Sequence, residues 1–319
     1  MRAIQLTETG GPEVLRHTEI TTPEPGPGQV LIRLAASGVN FIDTYHRSGL
    51  YKVPLPFVPG AEGAGEVVAV GSGVDWPQAG DRVASANLAG ACAEYALAPA
   101  DRVVPVPAGI SDEQAAAVLL QGMTAHYLLF DSYAVQPGDT VLVHAAAGGM
   151  GLLVTQLATE LGARVIGTVS TPEKEELARE AGAAAVLGYG DVPDKVRELT
   201  GGAGVAAVYD GVGRDTFDAS MASLRLRGTL VLYGYASGPV PPFDINRLQA
   251  GSFSLTRPTL GHFIVSREDL TRRAEDIFGR VAAGSLRIRI GERYPLSEAG
   301  RAHEDLQSRR TTGKLLIIP

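Results

Sequence analysis

Gly138–Gln156 read GDTVLVHAAAGGMGLLVTQ, and this stretch decides how the middle of the chain folds. A short apolar run leads into small residues and then into a helix-like segment. Gly148 and Gly149 let the backbone approach a diphosphate closely, and Gly151 lets a helix pack near the preceding strand. The N-terminus of that helix offers N–H groups to anionic oxygens. The stretch therefore predicts a strand, turn and helix that bind a dinucleotide, with Met150 inside the turn.

The segments around this turn alternate between strand-like and helix-like patterns. Ala146 stands where the first glycine of the usual dinucleotide pattern lies, so a turn without a ligand is the alternative interpretation. The order of the segments favours the dinucleotide, because repeated strand–helix–strand units predict a parallel, doubly wound sheet. The strand-like runs are Thr140–His144, Arg164–Thr168, Ala185–Leu187, Ala206–Tyr209 and Thr229–Tyr233. The helix-like segments are Gly151–Leu161, Pro172–Ala181, Pro193–Thr200 and Thr216–Leu224.

The end of the second strand-like run indicates which dinucleotide binds. NAD enzymes place Asp or Glu there, which holds the ribose 2′-hydroxyl. Here the run ends in Ser170 and Thr171, and Lys174 follows on the next helix. A hydroxyl and an ammonium attract a 2′-phosphate, so the sequence favours NADPH. A surface lysine paired with Glu173 or Glu176 is the alternative for Lys174.

The flanking regions have a different pattern. Residues 1–110 are rich in Gly and Pro and contain alternating apolar runs, which predicts an antiparallel, partly barrel-like β domain. Ser111 is a plausible helix start. From about Gly261 the chain contains a helix-like segment and two strand-like runs, and we expect it to return to the first domain. These segments are Glu268–Ala283, Leu286–Ile290 and Lys314–Ile318.

Composition excludes several classes of protein. The net charge of −7 disfavours non-specific nucleic-acid binding, which needs a basic surface. The uncharged run Thr140–Thr159 is divided by glycines, so no membrane span is expected. Cys92 is the one cysteine, which excludes an intrachain disulfide. The polar residues that follow Met1–Gln5 leave no room for a signal peptide, and we expect a cytoplasmic protein.

Three unlike segments, in order along the chain, resemble the zeta-crystallin and bacterial quinone oxidoreductase branch of the zinc-free medium-chain dehydrogenase/reductase superfamily. They are Gly38–Tyr45, Ala145–Gly151 with Gln156, and Tyr209–Gly213. The resemblance implies an α/β protein with a GroES-like catalytic domain over 1–123 and 261–319. It also implies a Rossmann NADPH-binding domain over 124–260. A homodimer is expected, in which Ser252–Thr256 pairs with its copy.

The resemblance also indicates whether the chain has a catalytic zinc site. Zinc-dependent relatives place a cysteine and a histidine where this chain has Asn40 and Ala61, and neither is a strong zinc ligand. The six histidines form no short-spaced pair and are expected to be surface or core residues. Simple alcohol oxidation needs a Lewis acid, whereas a quinone or activated alkene accepts hydride onto a delocalised system. The sequence therefore favours quinone or enone substrates and no metal.

The resemblance implies the site residues as well. Asn40 and Tyr45 would be catalytic and would lie beside the nicotinamide in the interdomain cleft. Tyr51 would edge the substrate pocket, and Asp43 would accept a structural hydrogen bond. A packed aromatic role is the alternative for Tyr45. The expected cofactor contacts are Phe41, Asp43, Tyr45, Thr124, Tyr127, Gly148, Gly149, Met150, Gly151, Ser170, Lys174, Tyr189, Val212, Gly234, Tyr235, Arg257 and Arg309.

These observations predict an NADPH-dependent quinone reductase. An alkenal or enoyl double-bond reductase is the first alternative, and it needs an acid that protonates carbon after hydride addition. A non-catalytic, crystallin-like NADPH-binding protein is the second alternative. Steady-state rates with quinones and alkenals separate the two enzymes.

Overall fold

A computed structural model describes all 319 residues of the chain. The strands are β1 (Arg2–Gln5), β2 (Arg16–Glu19), β3 (Gln29–Val39), β4 (Glu62–Val70), β5 (Arg82–Ser85), β6 (Tyr95–Pro99), β7 (Val104–Pro105), β8 (Thr140–Val143), β9 (Arg164–Thr168), β10 (Ala185–Leu187), β11 (Val205–Asp210), β12 (Leu224–Leu232), β13 (Ser254–Thr256), β14 (Ile290–Pro295) and β15 (Lys314–Ile318). The helices are α1 (Phe41–Ser48), α2 (Asp112–Tyr127), α3 (Gly149–Glu160), α4 (Pro172–Glu180), α5 (Val192–Leu199), α6 (Phe217–Ser223), α7 (Arg267–Ala283) and α8 (Ala299–Gln307). A π-helical turn, Leu128–Ser132, follows α2.

The chain divides into two compact units. One contains Met1–Met123 and Ile264–Pro319, and the other contains Thr124–Phe263. No helix combines the length and the apolar character that crossing a membrane requires.

The Thr124–Phe263 unit is built on a six-stranded sheet in the order β10-β9-β8-β11-β12-β13, and every pair in it is parallel. All six residues of β11 are buried, as expected for a central strand covered on both faces. Leu142, Ile166, Val208 and Leu230 form part of its core. The predicted Rossmann sheet is therefore confirmed.

The other unit contains a seven-stranded sheet. Its order is β14-β15-β3-β4-β5-β7, with β6 also paired to β3. All of its pairs are antiparallel except β14 with β15. Strand β3 supplies Val30 and Ile32 to a buried cluster, as its alternating pattern predicts. The predicted fold class, a GroES-like β-rich domain with a Rossmann sheet, is confirmed.

The strand predicted over Leu286–Ile290 was placed too early. Helix α7 ends at Gly284 in the left-handed conformation, and the N–H of Leu286 then donates to the carbonyl of Arg280. Leu286 is buried after this helix end, as an apolar residue beyond a glycine C-cap commonly is. Pairing with β15 starts only at Ile290, so the strand is displaced towards Pro295.

Candidate active site

The turn between β8 and α3 exposes the N-terminus of a helix of 12 residues. Its N-cap is Gly148, with φ −76° and ψ 169°, and no side chain caps the helix. The first turn contains no acidic residue. The first N–H groups of a helix have no partner inside the helix and carry the positive end of its dipole. This terminus is therefore suited to an anionic group.

The turn is tight because α3 crosses the backbone that precedes it. A Cβ on Gly151 would overlap the carbonyl oxygen of Ala145 and would lie 2.7 Å from Cα of Ala146. Ala145 itself has φ +52°, a left-handed conformation that is uncommon for alanine. Its carbonyl accepts the N–H of Gly148 at 2.9 Å. Only glycine at position 151 allows this close approach.

The end of β9 carries no carboxylate. Ser170 follows the strand and is exposed, and Thr171 caps α4 by accepting the N–H of Lys174. Lys174 itself is half-buried in the first turn of that helix. The predicted serine and lysine therefore lie at one helix start, where an anion meets both the helix dipole and an ammonium group.

Tyr189 and Tyr235, two of the aromatic residues predicted to contact the cofactor, have defined partners in the same unit. Tyr189 stacks on His144 with ring centroids 6.1 Å apart and an interplanar angle of 14°. Tyr189 nevertheless remains 40% exposed. The guanidinium of Arg257 lies 4.3 Å from the centroid of the Tyr235 ring. The structure thus brings together two residues, Tyr235 and Arg257, that were predicted separately.

The other predicted contacts have different surroundings. Tyr127 is buried and stacks on Phe263 with centroids 4.2 Å apart. Thr124 is buried, and Val212 follows β11 with its N–H bonded to a carboxylate oxygen of Asp210. Gly234 follows β12. Arg309 lies in the other unit, in the exposed turn after α8.

Asn40 lies immediately before α1, and both the oxygen and the nitrogen of its side-chain amide form hydrogen bonds. Its Oδ1 accepts from Lys314 Nζ at 2.7 Å and from Gln121 Nε2 at 3.4 Å. Its Nδ2 donates to Glu62 Oε2 at 2.9 Å and to the carbonyl of Gly38 at 3.3 Å. The side chain is 5% exposed. This network fixes the orientation of Asn40 at the start of the helix.

Asp43 is the most perturbed carboxyl group of this region. Its Oδ2 accepts the N–H of Asn40 at 2.8 Å, whereas its Oδ1 is buried and has no hydrogen-bond partner. Burial raises the pKa of Asp43 from 3.8 to about 7, although the Asn40 N–H and the charge of Lys314 oppose the shift. Burial, and then the charge of Asp43, also raises the pKa of the Cys92 thiol. The region therefore holds a carboxyl group whose charge changes near neutral pH.

An aromatic cluster continues from α1 into the following loop. The rings of Tyr45 and Tyr51 meet edge to face with centroids 5.4 Å apart, and Phe41 lies 6.4 Å from Tyr45. His46 contacts both Tyr51 and Phe57. Tyr45 is 9% exposed and Tyr51 is half-buried. The structure therefore brings three of the predicted site residues together as one aromatic surface.

No group of three or more His, Cys, Asp and Glu side chains is arranged to hold a metal ion. At Asn40, where zinc-dependent relatives have a cysteine, the nearest cation is the ammonium of Lys314. The second ligand position is Ala61, whose side chain has no donor atom.

Comparison with known proteins gives concordant results. Residues 26–108 match the alcohol dehydrogenase GroES-like domain, and residues 149–277 match the zinc-binding dehydrogenase family. The quinone oxidoreductase of Pseudomonas aeruginosa is 48% identical, over 100% of this chain and 99% of the relative. The chain belongs to the quinone oxidoreductase branch of the medium-chain dehydrogenase/reductases.

Two solved structures that are similar to this chain contain NADPH. A mycobacterial protein complexed with NADPH is 54% identical, with a TM-score of 0.98 over 100% of both chains. The Escherichia coli quinone oxidoreductase complexed with NADPH is 44% identical, with a TM-score of 0.98 over 100% of both chains.

Sequence reasoning missed several residues of this quinone oxidoreductase-branch chain. Glu62 and Lys314 are fully buried and hold Asn40, yet neither was among the predicted site residues. A signal was present in Lys314, since the chain has only four lysines and this one opens an apolar strand. His144 was correctly expected to be a core or surface residue, but its buried partners Thr168 and Ser220 were not foreseen.

Proposed function

We propose that this chain is an NADPH-dependent quinone reductase that transfers a hydride to a small-molecule quinone without a metal ion. The observation that carries the proposal is the uncapped N-terminus of α3, formed where Gly151 crosses the Ala145 carbonyl. We assign cofactor binding to residues 124–260 and substrate binding to residues 1–123 and 261–319. NADPH, when bound, supplies the hydride.

The β8–α3 turn fits the diphosphate of this cofactor. The N–H groups of Gly149, Met150 and Gly151 lie at the uncapped helix start and donate to diphosphate oxygens, and Gly148 lets the backbone approach. Ser170 and Lys174 bind the 2′-phosphate. A carboxylate at this strand end would repel that group, and none is present.

The remaining cofactor contacts follow from the positions of the side chains. Tyr189, held by its stack on His144, faces the adenosine part, and Arg257 with Tyr235 forms a cation–π pair that supports the cofactor. We assign further contacts to Phe41, Asp43, Tyr45, Thr124, Tyr127, Val212, Gly234 and Arg309.

The aromatic surface of α1 supports the assignment of the substrate side. Planar acceptors stack on or against aromatic rings, and Tyr45 with Tyr51 presents two rings and two hydroxyl groups. The Tyr45 hydroxyl donates a hydrogen bond to the acceptor oxygen on which negative charge develops. Asn40, fixed by Lys314 and Glu62, sets the start of α1 and thereby positions Tyr45.

Steady-state kinetics tests the proposal. Purified protein is assayed with NADPH against 1,4-benzoquinone and a 2-alkenal, with NADH and with EDTA as parallel conditions. We expect the highest kcat/KM for NADPH with the quinone and no loss in EDTA. Faster reduction of the alkenal indicates a double-bond reductase instead. Saturable NADPH binding without reduction of either acceptor indicates a cofactor-binding protein.

We further propose a cytoplasmic homodimer. Strand β13 is the last strand of the parallel sheet and pairs only with β12, so its other edge is available to a second copy related by a twofold axis. The buried free thiol of Cys92 suits a reducing compartment. Sedimentation of the purified protein tests the dimer, and a monomeric mass at micromolar concentration contradicts it.

A further inference from the structure

A buried chain of hydrogen bonds joins the carboxyl ends of three adjacent parallel strands. Thr168 ends β9, His144 follows β8, and Asp210 ends β11, and the sheet order β9-β8-β11 places them side by side. Ser220 of α6 completes the chain. Thr168, Asp210 and Ser220 have no exposed surface, and His144 is 1% exposed.

Asp210 is the fixed end of this chain. Its Oδ1 accepts the N–H groups of Val212 and Gly213 at 2.8 and 3.0 Å. The hydroxyl of Thr216 lies 2.9 and 2.8 Å from its two carboxylate oxygens, and the hydroxyl of Ser220 donates to Oδ2 at 2.7 Å. Asp210 therefore accepts from two backbone N–H groups and two hydroxyl groups.

The number of protons on each group then determines which group donates in the remaining hydrogen bonds, from Ser220 to Thr168. Ser220 has one hydroxyl proton and gives it to Asp210, so it accepts from His144 Nε2 at 3.0 Å. Burial lowers the pKa of His144, which leaves the ring neutral with Nδ1 as an acceptor. The hydroxyl of Thr168 therefore donates to Nδ1 at 2.9 Å. The oxygen of the same Thr168 hydroxyl accepts the N–H of Ala145 at 3.3 Å.

The chain of hydrogen bonds ends in the β8–α3 turn, to which we assign binding of the cofactor diphosphate. The N–H of Ala145 donates to Thr168 Oγ1, and the N–H of Ala146 donates to the Thr168 carbonyl at 3.0 Å. One threonine thus holds two consecutive residues of the turn, the first of which has the left-handed φ of +52°. This conformation is unfavourable for alanine and persists only where its surroundings impose it.

We propose that His144 and Thr168 are positioning residues, which couple the buried carboxylate of Asp210 to the β8–α3 turn and hold it ready for the cofactor diphosphate. His144 has the Nε2–H tautomer, and the face of the same ring supports Tyr189. The inference rests on the proposed function. It concerns the diphosphate, which NADPH and NADH share. The assignment of Lys174 concerns the 2′-phosphate, which only NADPH carries.

A matched pair of variants at Thr168 tests the coupling. Thr168→Val keeps the shape of the side chain but removes the hydroxyl, and Thr168→Ser keeps the hydroxyl. We expect Thr168→Val to weaken NADPH and NADH by the same factor, roughly tenfold, with kcat at saturating NADPH changed less than about twofold. Thr168→Ser should bind both nucleotides within about twofold of the unmodified protein. Titration calorimetry on the full chain measures both dissociation constants.

The tautomer of His144 provides a readout that needs neither cofactor nor turnover. Long-range ¹H–¹⁵N spectra of histidine-labelled protein, assigned by the signal lost in His144→Phe, should show a protonated Nε2 and a bare Nδ1 at pH 7 to 8. A protonated Nδ1 overturns the proposal.

The outcomes separate this inference from the proposed function. An unmodified protein that fails to bind NADPH overturns the proposed function, whatever the tautomer. An unmodified protein that binds NADPH, with a Thr168→Val variant of equal affinity, overturns the coupling alone. A change in the NADPH-to-NADH affinity ratio in Thr168→Val also contradicts it, because the effect would then lie at the 2′-phosphate.

Discussion

The ammonium nitrogen of Lys314 lies 2.6 Å from Oε2 of Glu62, and the two side chains are 2% and 0% exposed. The residues open β15 and β4, which flank β3 on either side. Between them lies Gly38, where a Cβ would overlap Glu62 and would approach Lys314 Cε to 2.8 Å. The second oxygen of Glu62 accepts the N–H of Leu120 at 2.6 Å. A buried ion pair of this kind orients Asn40 only while both partners are present.

Replacement of one partner of the Lys314–Glu62 ion pair should lower the free energy of unfolding. Lys314→Met leaves the Glu62 carboxylate buried without its cation, and we expect the free energy of unfolding to fall by about 3–5 kcal/mol in urea. The double variant Lys314→Met with Glu62→Gln should recover part of that loss. Arg33→Met, which breaks the exposed Arg33–Glu66 pair, is the control and should cost no more than about 1 kcal/mol. An equal loss in both single variants contradicts this account.

Asp43 should make stability depend on pH. Its pKa is raised from 3.8 to about 7 by burial, so folding favours the protonated carboxyl. The stability that this group contributes is therefore present at low pH and is lost as pH rises from about 4 to about 7. Relative to Asp43→Asn, the unmodified protein should lose about 2.5 kcal/mol of unfolding free energy between pH 5 and pH 8. Urea unfolding at the two pH values measures this, and parallel profiles contradict it.

Lys174 should decide between the two nicotinamide cofactors. Lys174→Glu replaces an ammonium at the start of α4 with a carboxylate, so a 2′-phosphate is repelled while a 2′-hydroxyl is not. We expect NADPH binding to weaken about 10- to 100-fold and NADH binding to change little. Lys195→Glu makes the same charge change at an exposed position on α5 and is the control. An unchanged ratio of the two affinities removes the assignment of Lys174.

Gly151 should tolerate no side chain. Gly151→Ala places a Cβ against the backbone of Ala145 and Ala146, so the turn must open. We expect a lower Tm and no measurable retention of NADPH. Gly279→Ala is the matched control, since Gly279 lies on α7 with no atom within 4 Å of the added Cβ. That variant should keep NADPH binding and gain up to about 1 kcal/mol of stability.

The hydroxyl of Tyr45 should act on the substrate, whereas the contact that we assign to the cofactor needs only the ring. Tyr45→Phe keeps the ring of the aromatic surface and removes only the hydroxyl. We expect kcat/KM for 1,4-benzoquinone to fall about 10- to 100-fold, with an unchanged dissociation constant for NADPH. Tyr95→Phe on β6 should leave both quantities unchanged. If Tyr45→Phe also leaves kcat/KM unchanged, the ring has a packing role alone.

The cofactor-binding half of the fold could be predicted because its signals are local. The apolar run of β8, the small residues of its turn and the start of α3 lie within nineteen consecutive residues, Gly138–Gln156. The start of α2 was equally visible, since Ser111 and Gln114 bond reciprocally across three residues. Ser170 and Lys174 were predicted from the strand end that they follow, and their role towards the 2′-phosphate stays a prediction.

The sequence by itself therefore determined the parallel sheet and the glycine turn, and it predicted a preference for a phosphorylated dinucleotide. Tertiary structure alone decided which distant side chains share a buried site. Asn40 meets Lys314 across 274 positions because β15 pairs with β3, and His144 reaches Asp210 through Ser220 because β8 lies beside β11. The displacement of β14 has the same origin, because its pairing partner is remote in sequence. Local patterns report the periodicity of one element, whereas a hydrogen bond between elements depends on the register with which they pack.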